Sequence, residues 1–101
     1  MRVKMCGMRS FAAAHAAALA GADYIGFIFA KESRRYIAPE AAREIVRTLR
    51  RAKSVGVFVD APMSDVNAIA DLVGLDYVQL HGHETAEIAQ QSERPVIKAY
   101  R

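Results

Sequence analysis

The chain has 101 residues, which allows one small domain that buries roughly 60–65% of its unfolded surface on folding. Hydrophobic residues make up 52% and charged residues 25%, so disordered, collagen-like and coiled-coil classes are excluded. The single cysteine, Cys6, excludes an internal disulfide and a cysteine-rich zinc site, and it favours a reducing, cytoplasmic location. The net charge of +3 suits anionic small molecules as well as nucleic acid and does not distinguish them.

Short segments rich in β-branched and aromatic residues alternate with helix-like segments along the chain. The predicted strands are Val3–Cys6, Tyr24–Phe29, Ser54–Val59, Tyr77–Leu80 and Val96–Tyr100. The predicted helices are Phe11–Ala20, Pro39–Arg51, Pro62–Val73 and Glu84–Ser92. The apolar run Phe11–Ala22 follows basic residues as in a signal peptide, but it is mostly alanine and carries His15. We therefore expect a helix there, no export and no membrane span.

Glycine and proline positions support these helix boundaries. Pro39 and Pro62 suit the first turn of a helix, where the missing N–H removes no intrahelical bond. Gly21 and Gly74 follow predicted helices, at the place where a left-handed residue is preferred. These positions predict four helices with short connections back to strands.

A five-residue segment that occurs twice in similar form indicates a repeated unit. The segment Gly21-Ala22-Asp23-Tyr24-Ile25 returns as Gly74-Leu75-Asp76-Tyr77-Val78, each time at a helix-to-strand junction. Strand starts recur about every two dozen residues, which is the length of a βα unit. Nearly continuous hydrophobic strands such as Tyr24–Phe29 are typical of parallel sheets covered on both faces. The sequence therefore predicts an α/β fold with the all-parallel order βαβαβαβαβ.

Two folds fit that order of elements. Five strands and four helices make a complete flavodoxin-like doubly wound sheet. They also make the first four and a half units of a TIM (βα)8 barrel, which needs about 200 residues or more. In the barrel alternative, residues 1–101 form a single partial domain truncated after the fifth strand.

Ligands bind at the carboxyl ends of parallel strands in both folds. Cys6 lies at the first such end, where a thiol of lowered pKa can act as base or nucleophile; a buried, inert cysteine is the alternative. The second end leads into a loop, residues 30–38, whose Arg35 suits a carboxylate or phosphate unless the loop is merely solvated. The remaining polar residues at these ends are Lys31, Arg34, Asp60, His81 and His83.

The sequence offers little support for a metal site or a nucleic-acid site. His81 and His83 fit no standard metal-ligand spacing, so we expect no metal and place His81 at the mouth of the pocket. The arginines of the second predicted helix have no interleaved aromatic residues, so a solvated helix face is favoured and no nucleic-acid partner is expected.

Five segments, in order and with matching spacing, resemble the phosphoribosylanthranilate isomerase family. They are Lys4-Met5-Cys6-Gly7, Gly21–Phe29, Ser33-Arg34-Arg35-Tyr36-Ile37, Val55-Gly56-Val57-Phe58-Val59 and Val78-Gln79-Leu80-His81-Gly82. The family is a (βα)8 barrel of about 200 residues, so the resemblance implies that this chain is its amino-terminal half.

The resemblance implies an Amadori rearrangement in tryptophan biosynthesis, which converts N-(5-phosphoribosyl)anthranilate into an aminoketose without a cofactor. It assigns Cys6 as the general base, Arg35 as the contact of the anthranilate carboxylate, and His81 as a residue lining the pocket. The family's general acid is an aspartate after the sixth strand, and its phosphate-binding site is formed by the loops around strands seven and eight.

Those later elements lie beyond the predicted fifth strand, so we expect the 101 residues alone to be inactive. The expected partners are a phosphorylated small molecule and either a second copy of the chain or a carboxyl-terminal half-barrel. The alternative function is a non-catalytic module that binds anions, either as a half-barrel or with a flavodoxin-like fold.

Overall fold

The computed structural model describes residues 4–6, 21, 23–49, 52–80 and 85–98. Its strands are β1 (Lys4–Cys6), β2 (Tyr24–Ile28), β3 (Lys53–Phe58), β4 (Tyr77–Leu80) and β5 (Val96–Lys98). Its helices are α1 (Pro39–Val46), α2 (Met63–Val73) and α3 (Ala86–Ala89). The predicted helix Phe11–Ala20 lies outside the described residues, as do the predicted strand ends Val3 and Ala99-Tyr100.

The order of the strands distinguishes the two predicted folds. All neighbouring strands are parallel, and the order in the sheet, β1-β2-β3-β4-β5, is the order along the chain. A doubly wound sheet reverses direction at a switch point, which places its first strand between later ones. The flavodoxin-like alternative is therefore wrong, and the successive βα units are arranged as in part of a (βα)8 barrel.

The two faces of the sheet are covered differently, because side chains alternate along a strand. Phe27 of β2 and Phe58 of β3 are buried in one cluster with Ile45 of α1 and Val66 of α2. Val57 alternates with Phe58 and therefore points away from the helices. We call this second side the inner face; the positions on it include Tyr24, Gly26, Ile28, Val55, Val57, Tyr77, Gln79 and Ile97.

Strand bounds differ from the predicted ones by single residues. β4 has the predicted bounds, whereas β3 begins at Lys53 and ends at Phe58, one residue earlier at each end. Lys53 joins the ladder because its N–H donates to Asp23 O at 2.9 Å. Pairing with the neighbouring strand therefore decides where β3 begins, and residue type alone does not show this.

Helix α1 begins at Pro39 as predicted but ends at Val46, before the predicted end at Arg51. Thr48 N and Thr48 Oγ1 both donate to Ile45 O, at 3.0 and 2.7 Å. This bond to the third preceding residue tightens the last turn and ends the α-helical ladder.

Helix α2 begins at Met63, one residue after the predicted start, because Pro62 is extended with ψ 138°. It ends at Val73, and the left-handed φ of 81° at the next residue, Gly74, confirms the predicted role of that glycine. Helix α3 is shorter than the predicted Glu84–Ser92: the Thr85 hydroxyl caps Ile88 N at 3.3 Å, and the chain leaves the helix after Ala89. Among the described residues the longest helix has 11 residues, and none of the helices there is long and apolar enough to cross a membrane.

Candidate active site

The carboxyl ends of the parallel strands bring the predicted site positions to one edge of the sheet. Cys6 is the last residue of β1 and the register partner of Gly26 in β2. The loop with Arg35 leaves this edge after β2, and Asp60 follows β3 there with a left-handed φ of 50°. His81 and His83 follow β4 and lie outside the described residues, as does the residue after Cys6.

The loop after β2, residues 30–38, is folded back against its own strand. Ser33 N donates to Ala30 O at 3.0 Å, and Tyr36 N donates to Ser33 O at 3.2 Å, which makes two consecutive turns. Ile37 N then donates to Ile28 O at 3.0 Å, and the Ile37 side chain is buried. The backbone is therefore held on both sides of Arg35.

Arg35 combines a fixed backbone with an exposed side chain. In the part of the chain that the structure describes, its guanidinium makes no hydrogen bond or ion pair, whereas Arg34 engages a partner of its own. A planar guanidinium can donate two parallel hydrogen bonds to a carboxylate. The position and chemistry of Arg35 suit the capture of such a group at this edge.

A cavity of about 240 Å³ opens beside this loop, between the sheet and α2. Its apolar wall is formed by residues of the sheet–helix layer, including Phe58 and Ile69. Its polar wall carries one ammonium group and three carboxylates: Lys31, Glu32, Asp60 and Asp65. The excess of negative charge disfavours a carboxylate or phosphate ligand. Arg35 does not line this cavity, whereas Lys31 and Asp60 of the predicted strand-end residues do.

Two features of this edge are missing from the sequence-based predictions. Asp65 joins the cavity because it lies in the first turn of α2, five residues after Asp60, and this spacing was the available signal. The Ser33 hydroxyl accepts a hydrogen bond from Arg35 N at 3.1 Å, and a serine two residues before the donor was the signal for that turn. No cluster of three His, Cys, Asp or Glu residues able to hold a metal occurs among the described positions.

Comparison with known proteins identifies one family. Residues 3–101 match the family model of N-(5'-phosphoribosyl)anthranilate isomerase. The N-(5'-phosphoribosyl)anthranilate isomerase of Geobacter sp. strain M21 is 48% identical over 101 residues, which cover 99% of this chain and 50% of that protein.

Solved structures of the same family superpose closely. The phosphoribosylanthranilate isomerase of Thermus thermophilus gives a TM-score of 0.95 at 44% identity, covering 99% of this chain and 52% of its own. Another phosphoribosylanthranilate isomerase structure, in complex with reduced 1-(o-carboxyphenylamino)-1-deoxyribulose 5-phosphate, gives a TM-score of 0.95 at 40% identity. This match covers 97% of this chain and 52% of the other. The chain thus spans about half the length of the relatives that it matches. These matches along nearly all of its residues show that the chain belongs to the N-(5'-phosphoribosyl)anthranilate isomerase family.

Proposed function

We propose that the chain supplies the amino-terminal part of the active site of an N-(5'-phosphoribosyl)anthranilate isomerase of tryptophan biosynthesis. The match of residues 3–101 to the family model is the observation that carries this proposal. The strand order supports it, because the end of β1 and the Arg35 loop come to the carboxyl edge where barrel enzymes bind their substrates.

The proposed reaction moves protons within one sugar and exchanges no electrons with an outside molecule. A general acid protonates the ribose ring oxygen as the C1–O bond breaks, and the anthranilate nitrogen forms an iminium with C1. A base takes the C2 proton, and the electrons of that C–H bond form the C1=C2 bond of an enolamine. C1 then gains a proton and the C2 hydroxyl loses one, which gives the aminoketose. C1 is reduced as C2 is oxidised, so no redox cofactor is required.

Three residues of this chain have proposed roles in the reaction. Cys6 is the base for the C2 proton, for which its backbone position at the end of β1 is suitable. Arg35 binds the anthranilate carboxylate, consistent with its exposed guanidinium. His81 lines the pocket; its role rests on the family resemblance alone.

We further propose that a carboxyl-terminal half-barrel completes the site. Among the described strands, β1 and β5 each have one neighbour, so each leaves one edge for another strand. In the family, the general acid and the phosphate-binding loops come from the later βα units. We therefore expect the 101 residues to act only when joined or bound to such a half.

A chimera tests the proposal directly. This chain is fused, after β5, to the carboxyl-terminal half of the isomerase from Geobacter sp. strain M21, whose amino-terminal half it matches at 48% identity. We expect the purified chimera to convert N-(5'-phosphoribosyl)anthranilate into the aminoketose, measured by chromatography. Replacing Cys6→Ser removes the proposed base and should lower kcat by about 100-fold or more.

The carboxyl-terminal half alone is the control for residual activity. A folded chimera that binds the substrate without turnover would favour the alternative of an anion-binding module. Full turnover in the Cys6→Ser chimera would contradict the role proposed for the thiol.

A further inference from the structure

We propose that Ser33 is a positioning residue for Arg35, and that its hydroxyl fixes the loop backbone from which the guanidinium reaches an anionic group. The identity of that group, a carboxylate of the substrate, rests on the proposed function. The backbone part of the inference does not, because it concerns hydrogen bonds within residues 28–38 only.

Ser33 is the junction of the two turns in this loop. Its N–H donates to Ala30 O at 3.0 Å, and its carbonyl accepts from Tyr36 N at 3.2 Å. Its Oγ accepts from Arg35 N at 3.1 Å, and this is the bond that depends on the side chain. Removing the hydroxyl leaves both backbone turns possible but takes away the partner of the Arg35 N–H.

The carboxyl side of Arg35 is anchored independently of Ser33. Ile37 is 5% exposed, and its N–H donates to Ile28 O at 3.0 Å. Tyr36 forms a parallel bridge with Ile28. Arg35 therefore lies between a hydrophobic anchor and the Ser33 hydroxyl. Loss of the hydroxyl should loosen Arg35 without releasing the rest of the loop.

The Arg35 guanidinium differs from two other arginines of the described chain. Arg94 Nη2 lies 3.0 Å from Asp71 Oδ1, and Arg47 Nη1 lies 3.7 Å from Glu44 Oε1. Each of these two guanidinium groups therefore has a carboxylate of the protein as its partner. Arg35 is exposed and has none within the described residues. A charged side chain that is unpaired but held at its backbone loses less conformational freedom on binding a ligand, and this raises affinity.

Backbone order is the first test. Nitrogen-15 relaxation is measured on the 101-residue chain and on the chimera, for the unmodified protein, Ser33→Ala, Ser33→Thr and the control Ser64→Ala. Ser64 is an exposed serine on α2, outside residues 30–38 and without a hydrogen bond to them. We expect an order parameter of about 0.85 at the Arg35 amide, falling below about 0.6 in Ser33→Ala only. Ser33→Thr keeps a hydroxyl and should retain the order.

Kinetics of the chimera is the second test. Loss of one neutral hydrogen bond should raise KM about 2- to 10-fold in Ser33→Ala with little change in kcat, while Ser33→Thr and Ser64→Ala stay near the unmodified values. Unchanged order at Arg35, unchanged KM, or an equal defect in Ser33→Thr would each overturn the inference. An inactive unmodified chimera would contradict the proposed function instead, while the order parameters would still decide whether Ser33 holds Arg35.

Discussion

Ser54 and Asp76 bind each other reciprocally at the start of β3 and β4. Asp76 Oδ2 accepts from Ser54 N at 2.9 Å and from Ser54 Oγ at 3.3 Å. Asp76 N donates back to Ser54 Oγ at 3.0 Å and to Ser54 O at 3.1 Å. Ser54 is 1% exposed, and its hydroxyl and N–H are thereby satisfied in the interior. Asp76 belongs to the second copy of the repeated segment, and these bonds give the aspartate of that copy a structural role.

We expect Ser54→Ala and Asp76→Ala each to lower the free energy of unfolding by about 1–3 kcal/mol, because each leaves buried or charged polar groups without a partner. The double variant should lose less free energy of unfolding than the two single variants together, with a coupling energy of about 1–2 kcal/mol. Urea unfolding of the four proteins measures both values. Ser64→Ala, at an exposed site on α2, should change stability by less than about 0.5 kcal/mol. Strict additivity would mean that the two residues act independently.

Gly56 allows Leu75 to pack directly on β3. A Cβ at this position would collide with Leu75 Cδ1 and lie 3.0 and 3.1 Å from ring carbons of Phe58 and Phe29. We expect Gly56→Ala to destabilise the protein by about 1–3 kcal/mol through overpacking, measured by thermal unfolding. Because the main clash is with a side chain, Leu75→Val should recover part of the loss in the double variant.

Gly74 is the matched control for Gly56, since a Cβ there meets nothing within 4 Å but φ is 81°. Gly74→Ala should therefore cost only the backbone strain of about 1 kcal/mol, with no recovery from Leu75→Val. Recovery at both glycines would show that Leu75→Val stabilises the protein for some other reason.

Arg94 ties the connection before β5 to the connection after α2. Its Nε donates to Leu75 O at 2.8 Å, and its Nη2 lies 3.0 Å from Asp71 Oδ1. A lysine ammonium cannot reproduce this planar fork, so Arg94→Lys should lower the free energy of unfolding by about 1–2 kcal/mol in urea titrations. The control Arg47→Lys affects an exposed pair at 3.7 Å and should cost less than about 0.5 kcal/mol. Equal effects would indicate that charge alone matters at Arg94.

Local signals in the sequence predicted individual elements better than their arrangement. Gly74 ends α2 and Pro39 begins α1 as predicted, because backbone preferences of single residues decide those positions. Hydrophobic periodicity is the same in a doubly wound sheet and in a barrel. The strand order that separates them depends on packing between distant segments, so the sequence pattern left two folds open.

The sequence predicted which edge of the sheet carries the site, but not the distances between the residues there. Strand ends and the family resemblance pointed to Cys6 and Arg35, and the structure describes both backbones at that edge. The turn made by Ser33 and the acidic cavity around Asp60 depend on distances that spacing does not supply. The contact of Tyr24 with Tyr77, whose ring centroids are 5.8 Å apart, likewise needed the sheet that lies between the two repeated segments.

The inner face and the outer edge of β5 predict how the 101-residue chain behaves alone. Ile97 is 36% exposed on the inner face, beside the register partner Gln79, whereas Leu72 is 40% exposed on α2. Among the described strands β5 has one neighbour, and an unpaired strand edge beside an exposed apolar side chain favours association with other chains. We expect sedimentation equilibrium to show that association rises with protein concentration. The substitution Ile97→Lys should lower the association constant by about 10-fold or more. Leu72→Lys removes a similar apolar surface from a helix and should leave association unchanged. Equal weakening by both replacements would show that general hydrophobicity, and not the exposed position on β5, drives association.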